Sequence, residues 1–185
     1  MNKIGTFFES FLKQDSLFID KNVFLSSYLP EEIPYREEQI QEAANILAPA
    51  LRVEKPSNLF IYGKTGTGKT ISLKYILKSM LLIAEKNNIN FKYIYLNCKL
   101  KRVADTEYRL IAQLIKEFGQ EIPATGLPTD EVYNIFYKLL DKEKRVIILI
   151  LDEIDQLTKK IGDEILYNLT RINAELKNTQ ICLVG

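Results

Sequence analysis

Four short apolar runs along the chain have the length and residue types of β-strands. They lie at residues 59–62, 91–96, 146–151 and 181–184. The third run is continuously apolar and rich in β-branched residues, which is typical of a strand that is covered on both faces of a parallel sheet. The pattern therefore predicts a sheet with a buried central strand.

Apolar residues also recur at helical spacing outside these runs. Such stripes lie at residues 40–51, 73–84, 108–115, 132–139 and 165–176. Thr129 is the predicted N-cap of the fourth of these helices, because acidic residues follow it in the first turn. Strands that alternate with helices predict the α/β class, with a doubly wound parallel sheet and right-handed crossovers.

The stretch NLFIYGKTGTGKT, residues 58–70, joins a predicted strand to a loop rich in Gly, Lys and Thr. It fits the P-loop pattern GxxxxGKT, in which glycines let backbone N–H groups surround phosphates at a helix N-terminus. Lys69 is expected to contact the β and γ phosphates, and Thr70 to ligate Mg²⁺. A chance match by a glycine-rich turn is the alternative, but the strand before and the helix after weigh against it. We predict ATP or ADP with Mg²⁺ as ligands, held by Gly63, Lys64, Thr65, Gly66, Thr67, Gly68, Lys69, Thr70 and Ile71.

A second motif, VIILILDEID, places two carboxylates at the end of the third predicted strand. The carboxyl ends of the strands form the edge at which open α/β sheets bind ligands. Asp152 is expected to hold Mg²⁺ through its water shell, and Glu153 to orient or deprotonate the attacking water. A solvated acidic helix start is the alternative interpretation. Together with the P-loop, the motif favours ATP hydrolysis, with Lys69, Asp152 and Glu153 as catalytic residues.

Composition narrows the chemistry and the setting. The chain has 185 residues and 46% hydrophobic content, enough for one domain with a substantial core. It has no histidine and two cysteines, which argues against a zinc site or a histidine-based triad. A net charge of +1 offers no broad cationic face. No membrane span or signal peptide is evident, so we expect a cytoplasmic protein with reduced cysteines and no membrane partner.

The P-loop followed by ILDEID resembles the AAA+ ATPases, and longer segments narrow the resemblance. The segments YLPEEIPYREEQIQEAANILAPAL, KPSNLFIYGKTGTGKT, YIYLNCK, YRLIAQLIKEFG and IPATGLPTDEVYNIF closely resemble the archaeal DNA replication initiator family. The resemblance covers the chain from about Leu17 onward. It implies an initiator that binds and hydrolyses ATP, with duplex origin DNA and the replicative helicase as partners, and with origin recognition and helicase loading controlled by nucleotide state.

The expected layout has two parts. Residues 1–34 carry an aromatic-rich helical pattern and are expected to form a leader packed on the core. Residues 35–185 are expected to form the AAA+ nucleotide-binding base domain. The resemblance implies that the segment from Tyr28 to Arg36 lies beside the adenine, with Arg36 as a nucleotide contact, although Tyr35 stands where the family has histidine. It also implies a DNA-contacting helical insertion at about residues 105–128.

Family members continue through a helical lid and a winged-helix domain, and neither follows Gly185 in this sequence. We therefore expect the N-terminal part of a longer protein, either a fragment or a naturally short relative. The arginine finger of family members is also absent from this sequence. Because an arginine finger raises the rate of hydrolysis by about 10³- to 10⁵-fold, we expect the chain by itself to hydrolyse ATP slowly. Two alternatives remain: another AAA+ or signal-transduction ATPase that acts on protein partners, and a nonenzymatic module that holds nucleotide for structure.

Overall fold

A computed structural model of the chain describes residues 3–13, 20–25, 28–99, 105–123 and 125–185. It divides into two units, Met1–Ile33 and Pro34–Gly185. The first unit contains helix α1 (Lys3–Leu12) and a 3-10 turn at Asn22–Phe24. Within α1, the rings of Phe7 and Phe8 meet edge to face at 5.6 Å. The packing of residues 1–34 on the core stays a prediction.

Within the described residues, three parallel strands form the sheet of the second unit. They are β1 (Phe91–Asn97), β2 (Arg145–Asp152) and β3 (Thr179–Val184), in the order β1-β2-β3. Strand β2 is central and is buried along its length up to Leu151. Helical crossovers join the parallel strands, as this topology requires. The predicted α/β fold with a parallel sheet is confirmed.

The predicted strand at residues 59–62 lies beside β3 but pairs with it only in part. Leu59 forms a parallel bridge with Val184. The N–H groups of Leu59 and Ile61 donate to the carbonyls of Leu183 and Gly185, at 2.9 and 2.7 Å. The chain then enters the P-loop, so the segment pairs with β3 and the residue after it only through Leu59 and Ile61. The segment is an extended sheet edge rather than a full strand.

Six helices of the second unit surround the sheet within the described residues. The 3-10 turn Ile172–Ala174 follows the last of these helices. The predicted N-cap Thr129 is wrong, because the helix that begins at Thr129 has Pro128 as its N-cap. Pro128 has φ −58° and ψ 143°, an extended conformation, so Thr129 is already the first helical residue. The helices are α2 (Glu37–Leu47), α3 (Lys69–Lys86), α4 (Glu107–Lys116), α5 (Thr129–Leu140), α6 (Ile154–Ile161) and α7 (Glu164–Arg171). None of the described helices is long and apolar enough to cross a membrane.

Two apolar clusters cover the two faces of the sheet. Residues of β2 alternate between them, because successive side chains on a strand point to opposite faces. Ile147 and Leu149 pack with α4, α5 and α7, whereas Ile148 and Ile150 pack with α3. By the same alternation, Asp152 at the end of β2 lies on the face that α3 covers.

Candidate functional site

The P-loop is a tight turn between the sheet edge and α3. Gly63, Gly66 and Gly68 have φ values of +151°, +81° and +83°, which residues with a Cβ rarely adopt. Gly68 is the N-cap of α3. The first N–H groups of a helix have no partner within it, so the loop and the helix together present donors toward a phosphate.

Lys69 turns its ammonium back over this loop. Its Nζ donates to the carbonyls of Gly63 and Lys64, at 2.8 and 3.0 Å. The hydroxyl of Thr67 also donates to the Lys64 carbonyl, at 2.8 Å. The loop therefore holds one cation close to its own backbone, where an entering phosphate would meet it.

Asp152 accepts hydrogen bonds from several parts of the chain. The Thr70 hydroxyl, at the start of α3, lies 3.3 Å from Oδ1 and 3.1 Å from Oδ2. The Tyr95 hydroxyl, on β1, lies 2.5 Å from Oδ2. The backbone N–H of Glu153 donates to Oδ1 at 3.1 Å. The half-buried carboxylate is thus held in place at the carboxyl edge of the sheet, against the helix that follows the P-loop.

Sequence reasoning missed Tyr95. In the parallel register Asn97 lies opposite Asp152, and Tyr95 lies two residues earlier on the same face of β1. The Nζ of Lys74, on α3, lies 4.8 Å from the centre of its ring. Burial, followed by the hydrogen bond to Asp152, raises the pKa of Tyr95 above its usual value, so the hydroxyl keeps its proton at neutral pH. The register that reveals this contact is a property of the sheet and not of any motif.

Glu153 occupies the sharp turn between β2 and α6. It has φ 58° and ψ 42°, a left-handed conformation, and it is the N-cap residue of α6. Its side chain is exposed. This turn sets an accessible carboxylate directly after Asp152, at the edge of the sheet where the P-loop also lies.

Arg36 and Ile71 lie against the P-loop. A Cβ built on Gly68 would lie 3.8 Å from Nε of Arg36 and 3.6 Å from Cγ2 of Ile71. The structure therefore brings Arg36, Ile71 and Gly68 together, although their contacts with nucleotide stay predictions. Tyr35 has a left-handed φ of 61° and is 93% exposed. Tyr28 belongs to the first unit, and its place beside the adenine also stays a prediction.

The oxygen atoms of Thr70 and Asp152 suit Mg²⁺. This ion prefers oxygen ligands, keeps several waters, and is usually bound by one or two carboxylates together with substrate phosphates. Among the residues described, no group of three or more His, Cys, Asp or Glu side chains could hold a metal. A hydroxyl next to one carboxylate matches the P-loop arrangement, in which phosphates and waters supply the remaining ligands.

The segment predicted to contact DNA, about 105–128, is built around α4. The apolar face of this helix is buried in the core. On its outer side Arg109 pairs with Asp105 at 3.4 Å, and Lys116 pairs with Glu121 at 2.9 Å. Arg109 and Lys116 are the two basic residues of this segment, and both are therefore paired with carboxylates. Residues 100–104 and 124 lie outside the described residues.

Comparisons with known sequences identify relatives of the chain. Residues 52–185 match the model of a family described as an AAA domain. An ORC1-type DNA replication protein of Pyrococcus furiosus is 46% identical over 187 residues, covering 99% of this chain and 44% of that relative. The ORC1-type DNA replication protein 1 of Archaeoglobus fulgidus is 45% identical over 178 residues, covering 96% and 42%. The chain therefore spans less than half the length of these curated relatives, at 44% and 42%.

Solved structures of other proteins also have a fold similar to that of this chain. The Aeropyrum pernix ORC1 protein, solved in complex with DNA, matches with a TM-score of 0.79 and 41% identity, over 89% of this chain and 41% of that one. The Aeropyrum pernix ORC2 protein, solved as ADPNP-ADP complexes, matches with a TM-score of 0.69 and 25% identity, over 92% of this chain and 46% of that one.

Proposed function

Because the chain belongs to the AAA domain family and is similar over nearly its whole length to ORC1-type DNA replication proteins, we propose that it is the nucleotide-binding part of an ATP-dependent DNA replication initiator. The resemblance predicted from the sequence is confirmed. One observation carries the nucleotide site: the Thr70 hydroxyl contacts the Asp152 carboxylate, at 3.1 Å from Oδ2. This contact joins the P-loop and the DEID motif into one site.

Nucleotide binding uses the P-loop and the residues beside it. Backbone N–H groups of residues 63–70 and the N-terminus of α3 surround the phosphates. Lys69 exchanges the carbonyls of Gly63 and Lys64 for phosphate oxygens, which are stronger partners because they are charged. Arg36 lies against Gly68 and adds a second cation at this end of the site. The ADPNP and ADP bound to the Aeropyrum pernix ORC2 protein support nucleotide as the ligand.

Hydrolysis uses the carboxylates at the end of β2. Thr70 and Asp152 would hold Mg²⁺, which when bound neutralises charge on the β and γ phosphates. Glu153 accepts a proton from the attacking water as the water oxygen bonds to the γ phosphorus. The bond from that phosphorus to the oxygen of the β-phosphate breaks, and ADP and phosphate leave. Lys69 stabilises the charge that develops on the phosphate oxygens.

The proposed biological role comes from the relatives. The Aeropyrum pernix ORC1 protein was solved with DNA, which supports duplex DNA as a partner here. We extend the proposal to origin recognition and to loading of the replicative helicase, with nucleotide state as the control and the cytoplasm as the location. The 105–128 segment contributes some of the DNA contacts in this proposal.

The test compares origin DNA with scrambled DNA in the presence of ATP or ADP. Fluorescence anisotropy with the full-length natural protein is expected to show origin-selective binding that changes with nucleotide. Equal binding of both duplexes, unaffected by nucleotide, would contradict the initiator role and leave an ATPase with other partners.

A further inference from the structure

The hydrogen bond from Tyr95 is the shortest of the Asp152 contacts described above. The Tyr95 hydroxyl lies 2.5 Å from Oδ2, whereas Thr70 and the Glu153 N–H lie at 3.1 Å or more. Thr70 is nearly equidistant from the two oxygens, at 3.3 and 3.1 Å, and has one hydroxyl proton to donate. The Thr70 hydroxyl therefore does not fix the rotation of the carboxylate about its Cβ–Cγ bond. The Tyr95 hydroxyl donates to Oδ2 and the Glu153 N–H donates to Oδ1, so these two donors together do fix that rotation.

Tyr95 is itself held in place from two directions. Strand β1 fixes its backbone two residues before Asn97, which lies opposite Asp152 in the ladder. Helix α3 places the Lys74 ammonium 4.8 Å from the centre of the ring, a cation–π distance. Lys74 lies one helical turn after Thr70, so the same helix contacts both the carboxylate and the tyrosine that holds it.

We propose that Tyr95 is a positioning residue for the Mg²⁺–nucleotide site. Its hydroxyl holds the Asp152 carboxylate in the orientation that faces Thr70. The inference rests on the proposed nucleotide site. Residues that hydrogen-bond to a metal's ligands fix the orientation of those ligands, and their loss typically lowers metal affinity about 10- to 100-fold. Tyr95 takes that role here from a neighbouring strand, outside both nucleotide motifs.

The test replaces one hydroxyl and reads out Mg²⁺ dependence. ADP binding to the 185-residue chain is measured by calorimetry across a series of Mg²⁺ concentrations and in EDTA. In Tyr95→Phe we expect the half-maximal Mg²⁺ concentration to rise about 10-fold. Affinity for ADP in EDTA stays at the wild-type value, because the P-loop is untouched. Tyr93→Phe is the matched control, since Tyr93 lies on the same strand and packs at the edge of the same apolar cluster.

A double variant shows whether Tyr95 acts through Asp152. In the Asp152→Asn background, adding Tyr95→Phe is expected to cause no further change in Mg²⁺ dependence, because the effects of residues that act on one contact are not additive. Thermal melting of each variant confirms that it folds. A fully additive effect on Mg²⁺ dependence would mean that Tyr95 acts elsewhere, which would overturn the proposal.

Three further outcomes separate this inference from the proposed function. If wild type shows Mg²⁺-dependent ADP binding and Tyr95→Phe matches it, the positioning role is wrong and the proposed site stands. If Tyr95→Phe weakens ADP equally with Mg²⁺ and in EDTA, the hydroxyl has only a structural role, and the inference is overturned. If wild type binds ADP without any Mg²⁺ dependence, the proposed site fails and the inference fails with it.

Discussion

The side chains of Thr70 and Asp152 meet although they lie 82 positions apart in the sequence. Thr70 lies in the first turn of α3, and Asp152 is the last residue of β2. Strand β3 lies between β2 and the edge segment that leads to the P-loop. The two motifs therefore come from segments that are not neighbours in the sheet. They meet because both leave the sheet at its carboxyl edge, where open α/β sheets bind ligands.

Glu153→Gln is expected to retain nucleotide affinity and to lose hydrolysis. The amide has the size of the carboxylate but does not accept a proton from water, and loss of general-base catalysis costs about 10²-fold or more. Single-turnover hydrolysis of Mg-ATP by the full-length natural protein measures the rate, and calorimetry measures the affinity. Glu164→Gln is the control, because Glu164 is an exposed carboxylate in the first turn of α7. An unchanged rate for Glu153→Gln would remove this residue from the mechanism.

The P-loop and the DEID motif could be predicted because each is a short continuous stretch with fixed spacing. Tyr95 could not, because its role depends on the register between β1 and β2. In the sequence it is one aromatic residue in YIYLN, a pattern that indicates only a strand. Its contact with Asp152 appears when the sheet places Asn97 beside that carboxylate.

Two predicted details, the strand at residues 59–62 and the N-cap at Thr129, differ from the structure because of the residues next to them. The strand expected at residues 59–62 pairs only at Leu59 and Ile61, because the chain then enters the P-loop. Thr129 has a side chain suited to an N-cap, but the extended conformation of Pro128 makes the proline the N-cap instead. The residue types indicated an extended segment in the first case and a helix in the second, and the adjacent backbone set how far each extends.

Asp141 is expected to stabilise the fold in a pH-dependent way. Its carboxylate follows α5 and accepts the backbone N–H groups of Thr179, Asn178 and Lys177, at 3.0, 2.6 and 3.0 Å. These bonds, the one from Thr179 first, lower the pKa of Asp141 below its usual 3.8. A lowered pKa in the folded state stabilises the fold above the unfolded-state pKa, and that stabilisation is lost as the pH falls through the folded value.

Asp141→Asn should therefore lower the free energy of unfolding at pH 7, and the gap from wild type should narrow as the pH falls below about 4. Urea unfolding at pH 7, 5, 4 and 3 measures the gap. Asp163→Asn is the matched control, because the Asp163 side chain makes no capping hydrogen bond. A gap of the same size at pH 7 and pH 3 would show that the charge of Asp141 is not the cause.

Duplex DNA is expected to bind the 185-residue chain weakly. The net charge is +1, and Arg109 and Lys116 already pair with Asp105 and Glu121. We expect binding no tighter than the nonspecific range of about 10⁻⁴ to 10⁻⁶ M at physiological salt, with little preference for origin sequence. Each phosphate neutralised contributes about −0.9 to the log–log salt slope, so two or three contacts give a shallow slope.

Fluorescence anisotropy with origin and scrambled duplexes at several salt concentrations measures this binding. Arg109→Ala and Lys116→Ala are the local probes, and each should make the salt slope shallower by about 1 if its cation contacts phosphate. Nanomolar, origin-selective binding by the 185-residue chain would mean that the 105–128 segment carries DNA recognition by itself, against our expectation.

The most direct test of the account is ADP and ATP binding with Mg²⁺ by the wild-type chain and by Lys69→Ala. The variant removes the ammonium that lies on the Gly63 and Lys64 carbonyls and should weaken nucleotide binding by about 10-fold or more, because hydrogen bonds to charged groups are worth about 1.5–3 kcal/mol. Lys78→Ala, at an exposed lysine on the same helix, should bind as wild type does. Calorimetry that finds Lys69→Ala binding Mg-ADP as tightly as wild type would contradict the assignment of the site.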